Sequence, residues 1–280
     1  MLLPVRHYLL ALQFFTRIPV AGRLADWVGF SPAMLRASAG HFPGVGVVVG
    51  ALVAGFTALL LVYLPASPFA PLVVAVLGTV LSVMVTGAFH EDGLADIADG
   101  LGGSYDRDRA LVIMKDSRVG AFGALALVLA ILTKVTLLAL IGSVSLRWML
   151  VGIFVAHVVS RTWPLLLIRL MPHVGDAAGS KSKPLADQIS LGSLFTALLW
   201  CFSALAPVFI AQSAINFAAT AGQTGFGLMP LVVAICVSGL GFLTMWRLLW
   251  RRLQGFTGDG LGATQQVCEL AFYLGLALAL

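Results

Sequence analysis

Six apolar stretches recur along this chain, at about residues 45–64, 72–89, 119–141, 149–171, 191–211 and 227–246. Each is close to the roughly 20 residues that a helix needs to cross the hydrocarbon of a bilayer. Lipid offers the backbone no water to bond, so a segment inside it must satisfy its own N–H and C=O groups, and runs this long do so as helices. A seventh stretch, residues 267–280, reads as a short final span or a buried helix. The expected fold class is all-α, a polytopic integral membrane helix bundle with about six or seven spans. It forms one domain over residues 1–280, with no large internal repeat. Composition agrees, with 60% of the 280 residues hydrophobic and 10% charged, against about 25% charged in a soluble domain. That balance excludes a soluble globular enzyme, a disordered tail and a nucleic-acid binder.

The ends of the chain and its cysteines add little. Arg6 precedes an apolar run from Tyr8 to Phe15, and Arg17 and Pro19 follow too soon for a cleaved leader, so the segment reads as retained at the membrane. Cys201, Cys236 and Cys268 have no pairing or metal spacing and read as small apolar fillers.

The charges fall on one side. Arg6, Arg17, Arg23, Arg36, Arg107, Arg109, Lys115, Arg118, Lys181, Lys183, Arg247, Arg251 and Arg252 lie in four regions that alternate with three connections holding only Arg147. Basic loops stay in the cytoplasm, so the four charged regions are expected there, with the chain in the inner membrane. All twelve acids are assigned to that same side, Glu269 among them, and none to the six longer spans. An enzyme that works on a cytoplasmic substrate at the membrane surface fits this asymmetry. A pump with carboxylates at mid-membrane does not.

Seven of the twelve acids lie between Glu91 and Asp116. The stretch His90-Glu91-Asp92-Gly93-Leu94-Ala95-Asp96-Ile97-Ala98-Asp99-Gly100, if helical, stacks Asp92, Asp96 and Asp99 at four- and three-residue spacing on one face. Like charges at that spacing repel unless something neutralises them. A hard divalent cation does so, and Mg²⁺ held by one or two carboxylates keeps room for substrate phosphates. A solvated acidic loop is the plain alternative, against which Leu94, Ala95, Ile97 and Ala98 supply an apolar docking face. Gly100, Gly102 and Gly103 follow, readable as a phosphate-binding turn or an ordinary one. Lys115 and Arg118 stand where they could hold phosphate oxygens or simply flank a span. Lys181 and Lys183, beside Ser180 and Ser182, pose the same choice.

Within the spans stand Lys134, His157, Arg161 and Arg169. Arg169 is near an end and can snorkel. Arg161, four residues from His157, is expected to be buried and to contact an acid or a substrate phosphate. His157 reads as a packing residue, and Lys134 needs a partner that the sequence does not name.

Three stretches together carry a resemblance: residues 12–19, Leu-Gln-Phe-Phe-Thr-Arg-Ile-Pro; residues 90–103, His-Glu-Asp-Gly-Leu-Ala-Asp-Ile-Ala-Asp-Gly-Leu-Gly-Gly; and residues 113–123, with Lys115-Asp116-Ser117-Arg118 inside. Phe42-Pro43 and Thr257-Gly258-Asp259 add to it. The chain resembles the cobalamin synthase family, the adenosylcobinamide-GDP ribazoletransferases, over nearly its whole length. The resemblance implies a membrane-bound, Mg²⁺-dependent transfer of the cobinamide-phosphoryl group of adenosylcobinamide-GDP to the ribose hydroxyl of α-ribazole or α-ribazole 5′-phosphate, with release of GMP. It implies Asp92, Asp96, His90 and Asp116 as catalytic residues, with His90 placed to take the acceptor's proton or to serve as a structural histidine. Metal ligands would be Asp92, Asp96 and Asp99, supported by Glu91 and joined by Asp259. Lys115, Arg118, Arg161, Lys181 and Lys183 would bind substrate. Membrane lipids, a second copy of the chain or other enzymes of the pathway are the expected partners.

Two other readings compete. A CDP-alcohol phosphotransferase would want Ala-Arg where Asp96-Ile97 stands, and a UbiA-like prenyltransferase would want two aspartate-rich motifs where one is obvious. A transporter would show symmetric halves and acids at mid-membrane.

Overall fold

The computed structural model describes residues 2–175, 189–218 and 227–280. Lys181 and Lys183 lie outside the described residues. Twelve α-helices follow one another among the described residues: α1 (Leu3–Phe15), α2 (Arg23–Val28), α3 (Pro32–Ser38), α4 (Phe42–Tyr63), α5 (Ala70–Thr86), α6 (Phe89–Gly103), α7 (Arg107–Ile113), α8 (Ala121–Val144), α9 (Leu146–Leu170), α10 (Leu191–Ala218), α11 (Met229–Leu253) and α12 (Gly258–Ala279). One 3₁₀ turn, Ala39–His41, joins α3 to α4. No strand occurs among the described residues. The one extended pairing is an isolated parallel bridge between His173 and Phe256.

Among the described residues, five stretches are long and apolar enough to cross a membrane: Pro32–Tyr63, α8, α9, the Leu191–Ala211 part of α10, and α11. The run expected at residues 72–89 does not continue as one helix. Gly87 and Ala88 both take left-handed backbone, at φ +67° and +58°, and α6 leaves α5 at 90°. Left-handed backbone costs an alanine about 1 kcal/mol or more, and a side chain at Gly87 would collide with Arg17. Arg17 also ties this corner down, its backbone N–H donating to the Val85 carbonyl at 2.7 Å. The acidic segment is therefore a separate helix set across the end of α5. Counting the bent pair as one broken span gives six.

The interior is built around α9 and α12. α9 packs on α4, where side chains at Gly46 and Gly50 would strike the α9 backbone at His157 and Phe154. Small residues at that four-residue spacing let two backbones approach closely. α12 packs on α11, α6, α9 and α8. It starts at a Thr257 cap, whose Oγ1 accepts from Gly260 N–H at 3.1 Å. Of the two readings of the last apolar segment, a short span or a buried helix, the structure shows the buried one: a 22-residue inner helix that begins earlier, at Gly258, and carries Gln265, Gln266 and Glu269 in the bundle. Leucine and valine side chains of α8, such as Leu125, Val128 and Leu132, stand on the outer surface, as a lipid-facing helix requires.

Candidate active site

The four acids of α6 divide between two jobs. Asp92 is exposed and Asp96 half-buried, while Glu91 and Asp99 are buried. Asp99 accepts from the backbone N–H groups of Gly120 at 2.7 Å and Gly123 at 2.8 Å, which caps the start of α8. A carboxylate there also meets the positive end of the helix dipole. Side chains at either glycine would collide with that carboxylate, so the match needs both glycines. Three stacked carboxylates were expected, and the third is committed to backbone donors. Glu91 accepts from Gln266 Nε2 at 3.0 Å and so faces α12.

Asp259 joins from the other side. The α12 entry turn sits against α6 so tightly that a Cβ at Gly93 would lie 2.7 Å from the Asp259 carbonyl oxygen. Asp259 is half-buried. At this helix junction, burial and then the negative charges of Asp259, Asp92 and Asp99 push the Asp96 carboxyl up to about 7. Burial and Asp92 raise Asp259 to about 6. Asp92, Asp96 and Asp259 thus form a crowded acidic corner, with no basic residue among the causes of the shifts of Asp96 and Asp259. Among the described residues, no group of three or more His, Cys, Asp or Glu side chains is placed to hold a metal ion. Carboxylates are the ligand type that magnesium takes, one or two at a time, with water and phosphate oxygens completing its shell.

The remaining candidates are spread out. Lys115, Asp116 and Arg118 are exposed on the turn between α7 and α8. Asp116 receives Arg118 in a two-point pair, Nε to Oδ1 at 2.9 Å and Nη2 to Oδ2 at 2.6 Å. Those bonds hold the Asp116 carboxyl down at about 2, which suits a fixed anion and not a proton carrier. Asp106 caps α7 through Arg109 N–H at 2.8 Å. His90 is 2% exposed, and its ring packs among Phe15, Phe42 and Phe89. Neither of its nitrogens bonds to an acid or to any other described residue, so the structure does not place it on the acidic corner.

Arg161 is fully buried, with Nη1 donating to the His157 carbonyl at 2.9 Å and lying 3.0 Å from His157 Nδ1. Its guanidinium sits over the Phe42 ring at 5.7 Å. Its bonding partner is a histidine, where an acid or a phosphate was expected. The acid that sequence reasoning misplaced is Glu269. It lies in the bundle at 1% exposure and meets Lys134 Nζ at 2.6 Å, supplying the partner that Lys134 requires. Gln265 and Tyr273 also donate to it, at 2.7 and 3.2 Å. Gln266 then links Gln265 at 3.1 Å to Glu91. The signal was the four-residue spacing Gln265, Glu269, Tyr273, one polar stripe along an otherwise apolar helix.

A family model for cobalamin-5-phosphate synthase matches residues 7–277. The chain belongs to the cobalamin-5-phosphate synthase family. Its relatives include proteins named adenosylcobinamide-GDP ribazoletransferase from Albidiferax ferrireducens, 69% identical over 99% of each chain, and from Polaromonas naphthalenivorans, 60% identical over 99% of each. The protein of that name from Leptothrix cholodnii is 46% identical over 96% of this chain and 94% of its own. No solved structure matches the chain. The family match spans both halves of the acidic corner, since α6 and the α12 entry turn fall within it.

Proposed function

We propose that the chain is an adenosylcobinamide-GDP ribazoletransferase. It moves the cobinamide-phosphoryl group of adenosylcobinamide-GDP onto the ribose hydroxyl of α-ribazole or α-ribazole 5′-phosphate. The ribose oxygen forms a bond to the cobinamide-bearing phosphorus, the pyrophosphate P–O bond breaks, and GMP leaves. The product is adenosylcobalamin or its 5′-phosphate. The observation that carries the reading is the meeting of Asp92 and Asp96 with Asp259 at one helix junction, in a chain of this family.

Such a transfer depends on charge neutralisation and alignment more than on covalent help from the protein. One or two of the carboxylates of Asp92, Asp96 and Asp259 would hold Mg²⁺, which when bound supplies positive charge to the pyrophosphate oxygens. Lys115 and Arg118, exposed on the turn after α7, offer further N–H donors to phosphate. The acceptor's hydroxyl proton passes to the carboxylate cluster. Glu91 and Asp99 hold α6 in place. The active face is cytoplasmic and the membrane is the inner one, a reading that rests on the one-sided basic residues.

The test is Mg²⁺-dependent release of GMP from adenosylcobinamide-GDP and α-ribazole by purified protein in nanodiscs. Release that requires both the metal and the acceptor is the expected result. Purified, folded protein that releases no GMP with both present overturns the reading.

A further inference from the structure

A cavity of about 540 Å³ lies among α1, α2 and α3. Ligand pockets run from roughly 300 to 1,000 Å³. Leu10, Phe14, Phe30 and Leu35 give it apolar walls, and Gln13 and Asp26 are the polar side chains of its lining. Neither of those two side chains bonds to another described residue. The frame around them is tied. Arg6 reaches from α1 to the end of α2, where its Nε donates to the Val28 carbonyl at 2.9 Å and its guanidinium lies 6.0 Å from the Trp27 ring. Ser31 starts α3 by accepting from Met34 N–H at 3.1 Å. The pocket thus holds an ionised carboxylate, which only accepts hydrogen bonds, and an amide, which donates and accepts.

This pocket adjoins the start of the acidic helix. The Phe14 ring meets Phe89, the first residue of α6, with centroids 5.7 Å apart. Two residues past Phe15, Arg17 bonds through its backbone N–H to Val85 at the end of α5, and its side chain runs beside Gly87. Arg17 is exposed, and its guanidinium has no acidic partner among the described residues. Asp92 stands one turn on from that corner, its N–H donating to the Ala88 carbonyl at 2.8 Å. Pocket, cation and acidic helix therefore meet at one corner of the fold.

We propose that this pocket receives the guanine base of the GDP-bearing substrate, with the Asp26 carboxylate accepting from its ring N1–H and its exocyclic amine. The proposal rests on the transfer reaction proposed above. Guanine sets two N–H donors side by side, which the two oxygens of one carboxylate accept together. Adenine sets a donor beside an acceptor, and the base of α-ribazole carries no N–H, so Asp26 selects guanine over both. Phe14 and Phe30 suit a flat ring by stacking or edge contact. With the base in the pocket, the phosphates lead toward Arg17 and the acidic corner, where opposite charge holds them. Asp26 is then a specificity residue for the donor substrate.

The experiment titrates GMP, IMP, XMP and AMP into wild-type protein and Asp26→Asn in nanodiscs by calorimetry. IMP lacks the exocyclic amine, and XMP carries a carbonyl in its place. The wild type should bind GMP about tenfold more tightly than IMP, and AMP more weakly than GMP. In Asp26→Asn an amide N–H replaces one carboxylate oxygen, so XMP should become the preferred nucleotide. A variant that misfolds loses all four and cannot gain XMP, so the exchange of preference reads the contact itself. GMP that fails to bind the wild type, or binds no more tightly than IMP or AMP, overturns the proposal, as does an Asp26→Asn protein that still prefers GMP. The second measurement is KM in turnover. For adenosylcobinamide-GDP it should rise about tenfold in Asp26→Asn, with the α-ribazole KM unchanged. Turnover with both KM values unchanged, or raised equally, sinks the guanine site and leaves the transferase intact. A switch from GMP to XMP in a protein without turnover does the reverse.

Discussion

Lys134 of α8 and Glu269 of α12 meet at 2.6 Å inside the helix bundle, where each is 5% exposed or less. A charge in that setting is tolerable only with its partner, because neither water nor a distant counter-ion can replace it. The pair also faces Gln265 and Tyr273, so breaking it strands more than one group.

Lys134→Met should therefore cost about 3–5 kcal/mol, the usual penalty for leaving one member of a buried pair alone. Lys134→Met combined with Glu269→Gln should be more stable than Lys134→Met by itself. Thermal melting of the purified variants in detergent reads both. A single variant as stable as the wild type would contradict the pairing.

The two kinds of acid on α6 should separate in their response to substitution. Asp99→Ala removes a helix cap and should cost about 1–2 kcal/mol of stability, with the Mg²⁺ requirement unchanged. Asp92→Asn and Asp96→Asn should melt near the wild type while turnover falls on the order of 10²–10³-fold. Melting curves and GMP release on matched samples decide between the roles. An Asp99 variant that is stable but needs more Mg²⁺ would return Asp99 to the metal.

The acidic corner should bind its ion poorly in acid. Burial and then the neighbouring carboxylates raise Asp96 to about 7, so below that pH a proton competes with the metal, and above it the carboxylate is free. For one competing proton, half-saturating Mg²⁺ should rise about tenfold between pH 8 and pH 6. Magnesium titrations of turnover at pH 6, 7 and 8 measure it. The same half-saturation at all three would place the metal elsewhere.

Lys115→Ala and Arg118→Ala should each reduce turnover with little change in melting, since both side chains are exposed. Normal kinetics in both would leave them as charges that flank a span. Reporter fusions test the face directly: Ala66, between α4 and α5, should lie on the periplasmic side and Ser104, after α6, on the cytoplasmic side.

Much of this was legible in the chain before the fold. Apolar length announced the helices, and the four-residue spacing of Asp92 and Asp96 announced one acidic face. The corner at Gly87 and Ala88 was not, because the apolar pattern of residues 72–89 runs through it and alanine gives no sign of left-handed backbone. Glu269 was assigned to the polar side with the charged stretch that follows the sixth apolar run, and its partner Lys134 lies 135 positions earlier. The cap by Asp99 was equally hidden, since spacing tells which residues share a helix face and not which distant N–H groups will reach them. His90 sits next to the acids in sequence, yet a helix turns adjacent residues apart, and its ring went to the phenylalanines.

The links from α6 close into a triangle. Asp99 fastens the end of α6 to the start of α8, Lys134 fastens α8 to α12, and Gln266 returns from α12 to Glu91 at the beginning of α6. A triangle of struts cannot shear without breaking a member, whereas an open chain of contacts can. Asp92 and Asp96 hang between the two fastened ends, so their separation and tilt are set by joints that lie outside any reaction. A density of negative charge that looks like one large ligand set is then half frame and half workplace. Altering the frame from as far away as Lys134 should be felt as a misaligned tool, without any change to the tool itself.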